Sequence, residues 1–234
     1  YSRYEEGQEY PVYCRRKDNM DNLEQILLDG NEMAKGHHYF DIGAYSVSPD
    51  NELLAYSIDT VSRRQYDICD KKIETGEIFP EVIKNTTGNM VWANDNETLF
   101  YSVKDESLRS CKIMRHKLGD DPANDELVYF EEDTAFSCYI SKTKSRRYIM
   151  IISDSTMSSE VRFIDADRPY DEFKIFQKRE HDHLYGIGHY GEHFYILTNA
   201  DGAKNFKIMK TAVDKTEREN WEELISHRDD VLIE

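Results

Sequence analysis

The stretch "SPDNELLAYS", Ser48–Ser57, is followed by a second, "ANDNETLFYS", Ala93–Ser102, written to the same plan. Each sets a polar turn containing Asp-Asn ahead of a short apolar run that closes on Tyr-Ser, and the closing serines lie 45 residues apart. Asn and Asp accept left-handed backbone and hydrogen-bond their own main chain, so they make turns. A short apolar run between turn formers has the length of a buried strand. A unit that recurs at this spacing points to an array of like modules, and the rest of the chain carries further copies.

A third copy of the run is "RRYIMIIS", Arg146–Ser153, and a fourth is "EHFYILTN", Glu192–Asn199. The runs end at Ser57, Ser102, Ser153 and Thr198, at spacings of 45, 51 and 45. With this run named strand B, each copy has companions in a fixed order. Strand A precedes it, from Tyr45, Met90, Ser137 and Tyr185; strand C follows, from Tyr66, Cys111, Val161 and Phe206; strand D comes last, from Glu77, Glu126, Glu172 and Trp221. The A–B joints hold Pro49-Asp50-Asn51, Asn94-Asp95-Asn96, Lys144-Ser145 and Gly191-Glu192, a set rich in hairpin formers. Four strands in about 45 residues, repeated, are the signature of a β-propeller blade. Helical periodicity is poor. The exception is "DKTERENWEEL", Asp214–Leu224, expected to form a helical turn in a C–D loop.

The expected fold is all-β, a partial β-propeller forming one domain over residues 1–234. Segments from Tyr1, Tyr10 and Gln25 read as strands B, C and D of an incomplete first blade, 1–36. Four whole blades follow at 37–84, 85–133, 134–180 and 181–230, and 231–234 is expected to start the next. Sheets with unpaired edges make a poor product by themselves, so the expectation is a piece of a larger protein.

The net charge of −16 argues against a nucleic-acid partner, because phosphate would be repelled, and suits basic ligands or plain solubility. No stretch approaches the 18 apolar residues of a membrane-spanning helix, and no signal peptide is visible. Cys14, Cys69, Cys111 and Cys138 lack the close spacing of zinc or redox motifs. They read as reduced, buried thiols. A cytoplasmic location is the expectation, with the periplasm as the alternative.

Specific phrases carry a resemblance across essentially the whole chain, in order. "YSRYEEGQEYPVYCRR", "SPDNELLAYSIDTVSRRQY", "NMVWANDNETLFYSVKD", "HYGEHFYILTN" and "ENWEELISHRDDVLIE" resemble the propeller of the prolyl oligopeptidase family of serine peptidases. The resemblance implies a seven-bladed propeller, about five blades of which are present, joined to an α/β-hydrolase domain that carries the catalytic Ser, Asp and His. The family's nucleophile sits in a G-x-S-x-G elbow, and no such motif occurs here. The chain is therefore expected to be a substrate-gating fragment, inactive alone, with no catalytic, cofactor-binding or metal-binding residue. Its implied partners are the C-terminal hydrolase domain of the same parent chain and short basic peptides cleaved after Arg or Lys, with no nucleic acid and no membrane. In such blades strand A lies innermost, which makes Asp95, Lys142 and His189 candidates for the tunnel end or mouth. Propeller loops of related enzymes form salt bridges to the hydrolase domain, and Asp59 with Arg63-Arg64 flanks a B–C turn of that kind. The alternative is a free-standing propeller acting as a protein-binding scaffold. A propeller glycosidase would need a selected pair of carboxylates, and no motif selects one.

Other patterns have a sharp and a plain reading. His189-Tyr190-Gly191-Glu192-His193 matches H-x-x-E-H, but zinc chemistry needs a helix to bring both imidazoles to one face. Here the pentapeptide bridges two strands, so an exposed hairpin is expected. His181-Asp182-His183 reads as a polar loop between blades. The basic run Lys142-Thr143-Lys144-Ser145-Arg146-Arg147 is expected to decorate an A–B hairpin. Asn85-Thr86-Thr87 and Asn96-Glu97-Thr98 match the glycosylation acceptor triplet, which is common by chance. Trp92 and Trp221 read as strand packing.

Overall fold

The computed structural model describes residues 1–234. Blade one is a three-stranded sheet of β1 (Ser2–Arg3), β2 (Val12–Arg16) and β3 (Glu24–Asp29). Blade two holds β4 (Asp41–Val47), β5 (Leu53–Asp59), β6 (Tyr66–Lys72) and the first half of β7 (Ile78–Trp92). Blade three holds the second half of β7 with β8 (Thr98–Lys104), β9 (Ser110–Lys117) and β10 (Glu126–Phe130). Blade four is β11 (Ser137–Lys142), β12 (Tyr148–Asp154), β13 (Ser159–Asp165) and β14 (Lys174–Gln177). Blade five is β15 (Tyr185–Tyr190), β16 (His193–Thr198), β17 (Lys207–Ala212) and β18 (Glu222–Ile225). Every pairing is antiparallel and between neighbours in sequence, so each blade is a meander.

The B strands are apolar on both faces because both faces are buried. Along β12, Ile149 and Ile151 face blade three, in a cluster with Phe100 and Ile113, while Met150 faces blade five, with Phe163 and Phe194. Along β8, Phe100 faces blade four, whereas Leu99 and Tyr101 face Ile68 and Trp92 in the seam with blade two. Blades one and two meet over Leu27, Leu28, Leu54 and Tyr56. The core is thus a series of four seams between twisted sheets. The four cysteines are unpaired and buried in these sheets.

The repeated phrase acquires a reason for each part. Asp50 Oδ1 accepts from the Glu52 N–H at 3.0 Å, and Asp95 Oδ1 accepts from the Glu97 and Thr98 N–H groups at 3.0 and 2.9 Å. Asn51 and Asn96 take left-handed backbone, with φ of 66° and 62°. Both are side-chain-closed hairpin turns. At the other end of the phrase the hydroxyls of Ser57, Ser102, Ser153 and Thr198 are fully buried. Ser57 Oγ accepts from the Ala44 N–H at 2.9 Å and donates to the Gly88 carbonyl at 3.1 Å. Ser153 Oγ reaches the Tyr129 hydroxyl at 3.2 Å, and Thr198 Oγ1 lies 2.9 Å from His183 Nε2. The terminal hydroxyl therefore satisfies polar groups on neighbouring strands and connectors, which must be paired once water is excluded.

Blades two and three meet near residues 84/85 without a break in the strand. The linker stays extended, and β7 runs through both sheets to give a seven-stranded whole. The turn between the blades is made inside the strand, where Asn85 and Gly88 adopt φ of 59° and 87° and the pairing register shifts between Thr86 and Met90. A Cβ on Gly88 would sit 2.9 Å from Tyr66 Cγ and 3.0 Å from Ser57 Oγ. Gly88→Ala is therefore expected to cost about 2 kcal/mol through left-handed strain alone, more if Tyr66 cannot shift. Urea denaturation measures it, and a loss below about 0.5 kcal/mol would contradict this account.

Helix is confined to short turns. Arg218–Asn220 forms a 3-10 turn inside the expected C–D loop, and Gly30–Met33 forms one helical turn capped by the Asp29 carboxylate. Residues 231–234 form no strand: Val231 bridges back to Arg228, and the Ile233 N–H donates to the Asn205 carbonyl at 3.0 Å.

Candidate functional site

A four-stranded meander sends its A–B and C–D turns to one face of the propeller and its B–C turns and D–A connectors to the other. Every strand D ends on the second face. A segment that follows a blade leaves from there.

This face is built by short polar devices. Asp59 closes the first B–C loop by accepting the N–H groups of Val61, Arg63 and Arg64 at 2.8, 3.0 and 2.7 Å. Asp105 closes the next by accepting from Ser107 and Arg109 at 2.9 and 3.1 Å. Ser155 Oγ accepts from the Ser158 N–H at 3.1 Å in the third. Each loop lifts one apolar side chain to its tip: Val61, Leu108 and Met157 are 58%, 55% and 49% exposed. Asp59 itself is buried and bonded to main chain, so it is not free to pair with another domain as the sequence suggested. The Arg63 and Arg64 side chains remain exposed.

Beneath the tips lies a buried ionic cluster. Glu131, 3% exposed, receives Arg179 Nη2 at 2.7 Å, the Tyr129 hydroxyl at 2.6 Å and the Asp133 N–H at 3.1 Å. Arg179 also reaches Glu160 at 3.2 Å and lies over the Phe136 ring at 3.9 Å. Arg162 pairs with Glu160 at 2.6 Å and stacks on Tyr129 at 4.3 Å. Burial alone would raise the Glu131 carboxyl, but the bonds from Arg179 and Tyr129 outweigh it and hold it down at about 2. Arg109 Nη1 donates to the carbonyls of Glu131, Asp133 and Phe136, which fixes the D–A connector from blade three to blade four. Toward the inner strands, the Tyr66 hydroxyl donates to Asp41 at 2.6 Å and the Tyr139 hydroxyl to Asp154 at 3.0 Å. Burial pushes the Asp154 carboxyl up. None of these groups was singled out in the sequence as a site; Glu131 and Arg179, at the centre of the cluster, lie on different blades and 48 residues apart.

The three tunnel-mouth candidates fall at the opposite face, on A–B hairpins. Asp95 closes its own turn. Lys142 donates to the Trp92 carbonyl and to Asn94 Oδ1, both at 2.7 Å, tying blade four to blade three, and burial pushes it down to about 8. His189 Nδ1 lies 2.8 Å from Ser145 Oγ, and its ring meets Tyr148 and Phe194 edge-on. The basic run does sit on an A–B hairpin, though Lys142 is a seam residue and no surface ornament. In H-x-x-E-H, His189 pairs with Phe194 and Tyr190 with His193, so the two imidazoles point to opposite faces of β15 and β16 and cannot share a metal. His181-Asp182-His183 lies in the connector between β14 and β15, as the loop reading expected, but His183 is buried, stacked near Tyr185 and Trp221. Thr86 and Thr98 of the glycosylation triplets are fully buried. Trp92 and Trp221 are buried as expected.

The whole chain, residues 1–234, matches the family model described as prolyl oligopeptidase, N-terminal β-propeller domain. Among curated relatives, dipeptidyl aminopeptidase BI of Pseudoxanthomonas mexicana is 42% identical over all of this chain and 34% of its own length. Protease 2 of Moraxella lacunata is 31% identical over all of this chain and 36% of its own. Among solved structures, oligopeptidase B from Leishmania major superposes with a TM-score of 0.91 at 28% identity, covering 100% of this chain and 33% of that one. The chain thus spans about a third of the length of the relatives it matches. With the meander blades, the seams between them and a family match from end to end, the chain belongs to the N-terminal β-propeller domain family of the prolyl oligopeptidases.

Proposed function

We propose that this chain is the access-limiting propeller of a serine oligopeptidase, seated through its B–C and D–A face on an α/β-hydrolase domain of the same parent protein. The observation that carries the reading is the face itself: strand ends and three apolar loop tips gather on one side. The relatives' threefold greater length supports a further domain. In this reading the chain supplies no catalytic group. It excludes folded proteins sterically and admits short peptides, and domain opening sets the rate of access. Cleavage after Arg or Lys is the proposed specificity, supported by the net charge of −16, which concentrates basic peptides. The four buried, unpaired thiols support a cytoplasmic location, with the periplasm as the alternative.

The 42% identity to a dipeptidyl aminopeptidase favours a second reading, release of dipeptides from free N-termini. Digests of a short Arg-containing peptide by the intact protein separate the two. Cleavage after Arg with the N-terminus blocked supports the first, and activity only on free N-termini supports the second. The gating role has its own test. The triple variant Val61→Asp, Leu108→Asp, Met157→Asp is expected to melt normally, because the tips are exposed, while losing about 1 kcal/mol of domain contact per site. Digestion of an unfolded protein substrate should rise about tenfold or more. Unchanged digestion would move the docking face elsewhere.

A further inference from the structure

We propose that Asp70 and His116 form a one-proton site across the seam between blades two and three, joined through a bridging water, and that loss of this proton loosens the seam.

Asp70 lies on β6 and His116 on β9, and they are 1% and 0% exposed. Asp70 Oδ1 and His116 Nε2 have no hydrogen-bond partner. Both project into the same seam. Asp70 shares a face of β6 with Ile68, two residues away, and His116 stands opposite Leu99; Ile68 and Leu99 belong to one cluster. The other ring nitrogen of His116 is committed, since Nδ1 lies 2.7 Å from Asp125 Oδ1. The Tyr101 hydroxyl donates to Asp125 Oδ2 at 2.7 Å. Asp125 thus accepts on both oxygens, which requires the proton of His116 on Nδ1. Nε2 is left to act as donor when the ring is charged and as acceptor when it is neutral. Asp70 Oδ1 has the complementary choice. With one proton between them the ring can offset the carboxylate; with none, an uncompensated carboxylate is left buried beside a neutral ring and near Glu81, and a buried unpaired charge is costly. A bridging water is the usual partner of such atoms.

The surrounding groups favour retention. Glu81 on β7, which accepts from the Gly119 N–H at 2.8 Å, acts on both residues, and Asp125 acts on His116. The charges with the largest effect on His116 are those of Asp125, Asp70 and Glu81, all acidic. Burial, with Glu81 adding to it and His116 opposing, pushes the Asp70 carboxyl up to about 7. For His116, burial works downward, but the Asp125 bond and the charges of Asp125, Asp70 and Glu81 raise it above the ordinary imidazole range. Both groups hold protons more tightly in the folded than in the unfolded chain. Their contribution is complete at low pH and is lost as pH rises, from about 4 to 7 for the carboxyl and above about 6.5 for the imidazole.

Histidine 13C NMR and thermal melts of the intact protein between about pH 5 and pH 9 test this. Asp70→Asn is expected to lower the His116 midpoint by about one pH unit and to flatten the fall in melting temperature with pH. His116→Gln is expected to flatten the same fall, and it carries the test if Asp70→Asn does not fold. An unchanged His116 midpoint in Asp70→Asn, or a melting profile as steep in His116→Gln as in the parent, would overturn the proposal.

Discussion

Replacing Glu131 with alanine is expected to destabilise the seam between blades three and four by about 3–5 kcal/mol, because it strips one partner from a buried ion pair. Glu131 is buried and accepts Arg179, Tyr129 and the Asp133 N–H. Without it, Arg179 keeps Glu160 and a long bond to the Tyr129 hydroxyl, at 3.2 and 3.5 Å, and that hydroxyl keeps Ser153. The double variant Glu131→Ala, Arg179→Ala should lose less than the sum of the single losses, since contacting residues couple. The acid limb supplies a second check. The Glu131 carboxyl is held below its unfolded value, so its contribution is present above about pH 4.5 and is lost as pH falls toward about 2. Glu131→Gln should flatten stability in that window. Calorimetry showing a loss below about 1 kcal/mol for Glu131→Ala would mean that the cluster is wet and the pair screened.

Trp92→Ala is expected to cost about 4 kcal/mol, the range for deleting a buried aromatic ring. The indole is 1% exposed among Ile68, Ile83, Met90 and Leu99. Its Nε1–H donates across the seam to the Ser46 carbonyl at 3.0 Å, so alanine both opens a cavity and strands an acceptor. Trp92→Phe keeps most of the apolar area and loses the bond, and should cost about 1–2 kcal/mol. Chemical denaturation of the two variants separates packing from hydrogen bonding. Equal losses would show that the bond dominates, contrary to this assignment.

Much of the architecture was readable in advance because it is written locally. The apolar B runs and the Asp-Asn turns each depend on neighbours within ten positions, and they recur about every 45 residues. The helical turn at Arg218–Asn220 was legible for the same reason. What the sequence left open was which atoms particular side chains would bond. Lys142, Asp95 and His189 are hairpin and seam residues, and their residue types alone could not distinguish a tunnel mouth from an interblade clasp. Asp59 resembled an ion-pairing acid because its arginines stand nearby in sequence, yet it accepts their backbone N–H groups.

By itself, the amino-acid sequence determined the period, the order of four strands in each repeat and the chemistry of the A–B turns. These rest on alternation, apolar runs and left-handed tolerance, all properties of adjacent residues. Only the tertiary structure decided that β7 runs unbroken through two blades, that Glu131 meets Arg179 from 48 residues away and that Asp70 Oδ1 and His116 Nε2 are buried without a partner. Those outcomes depend on how sheets stack, and stacking brings together groups whose separation along the chain carries no signal of contact.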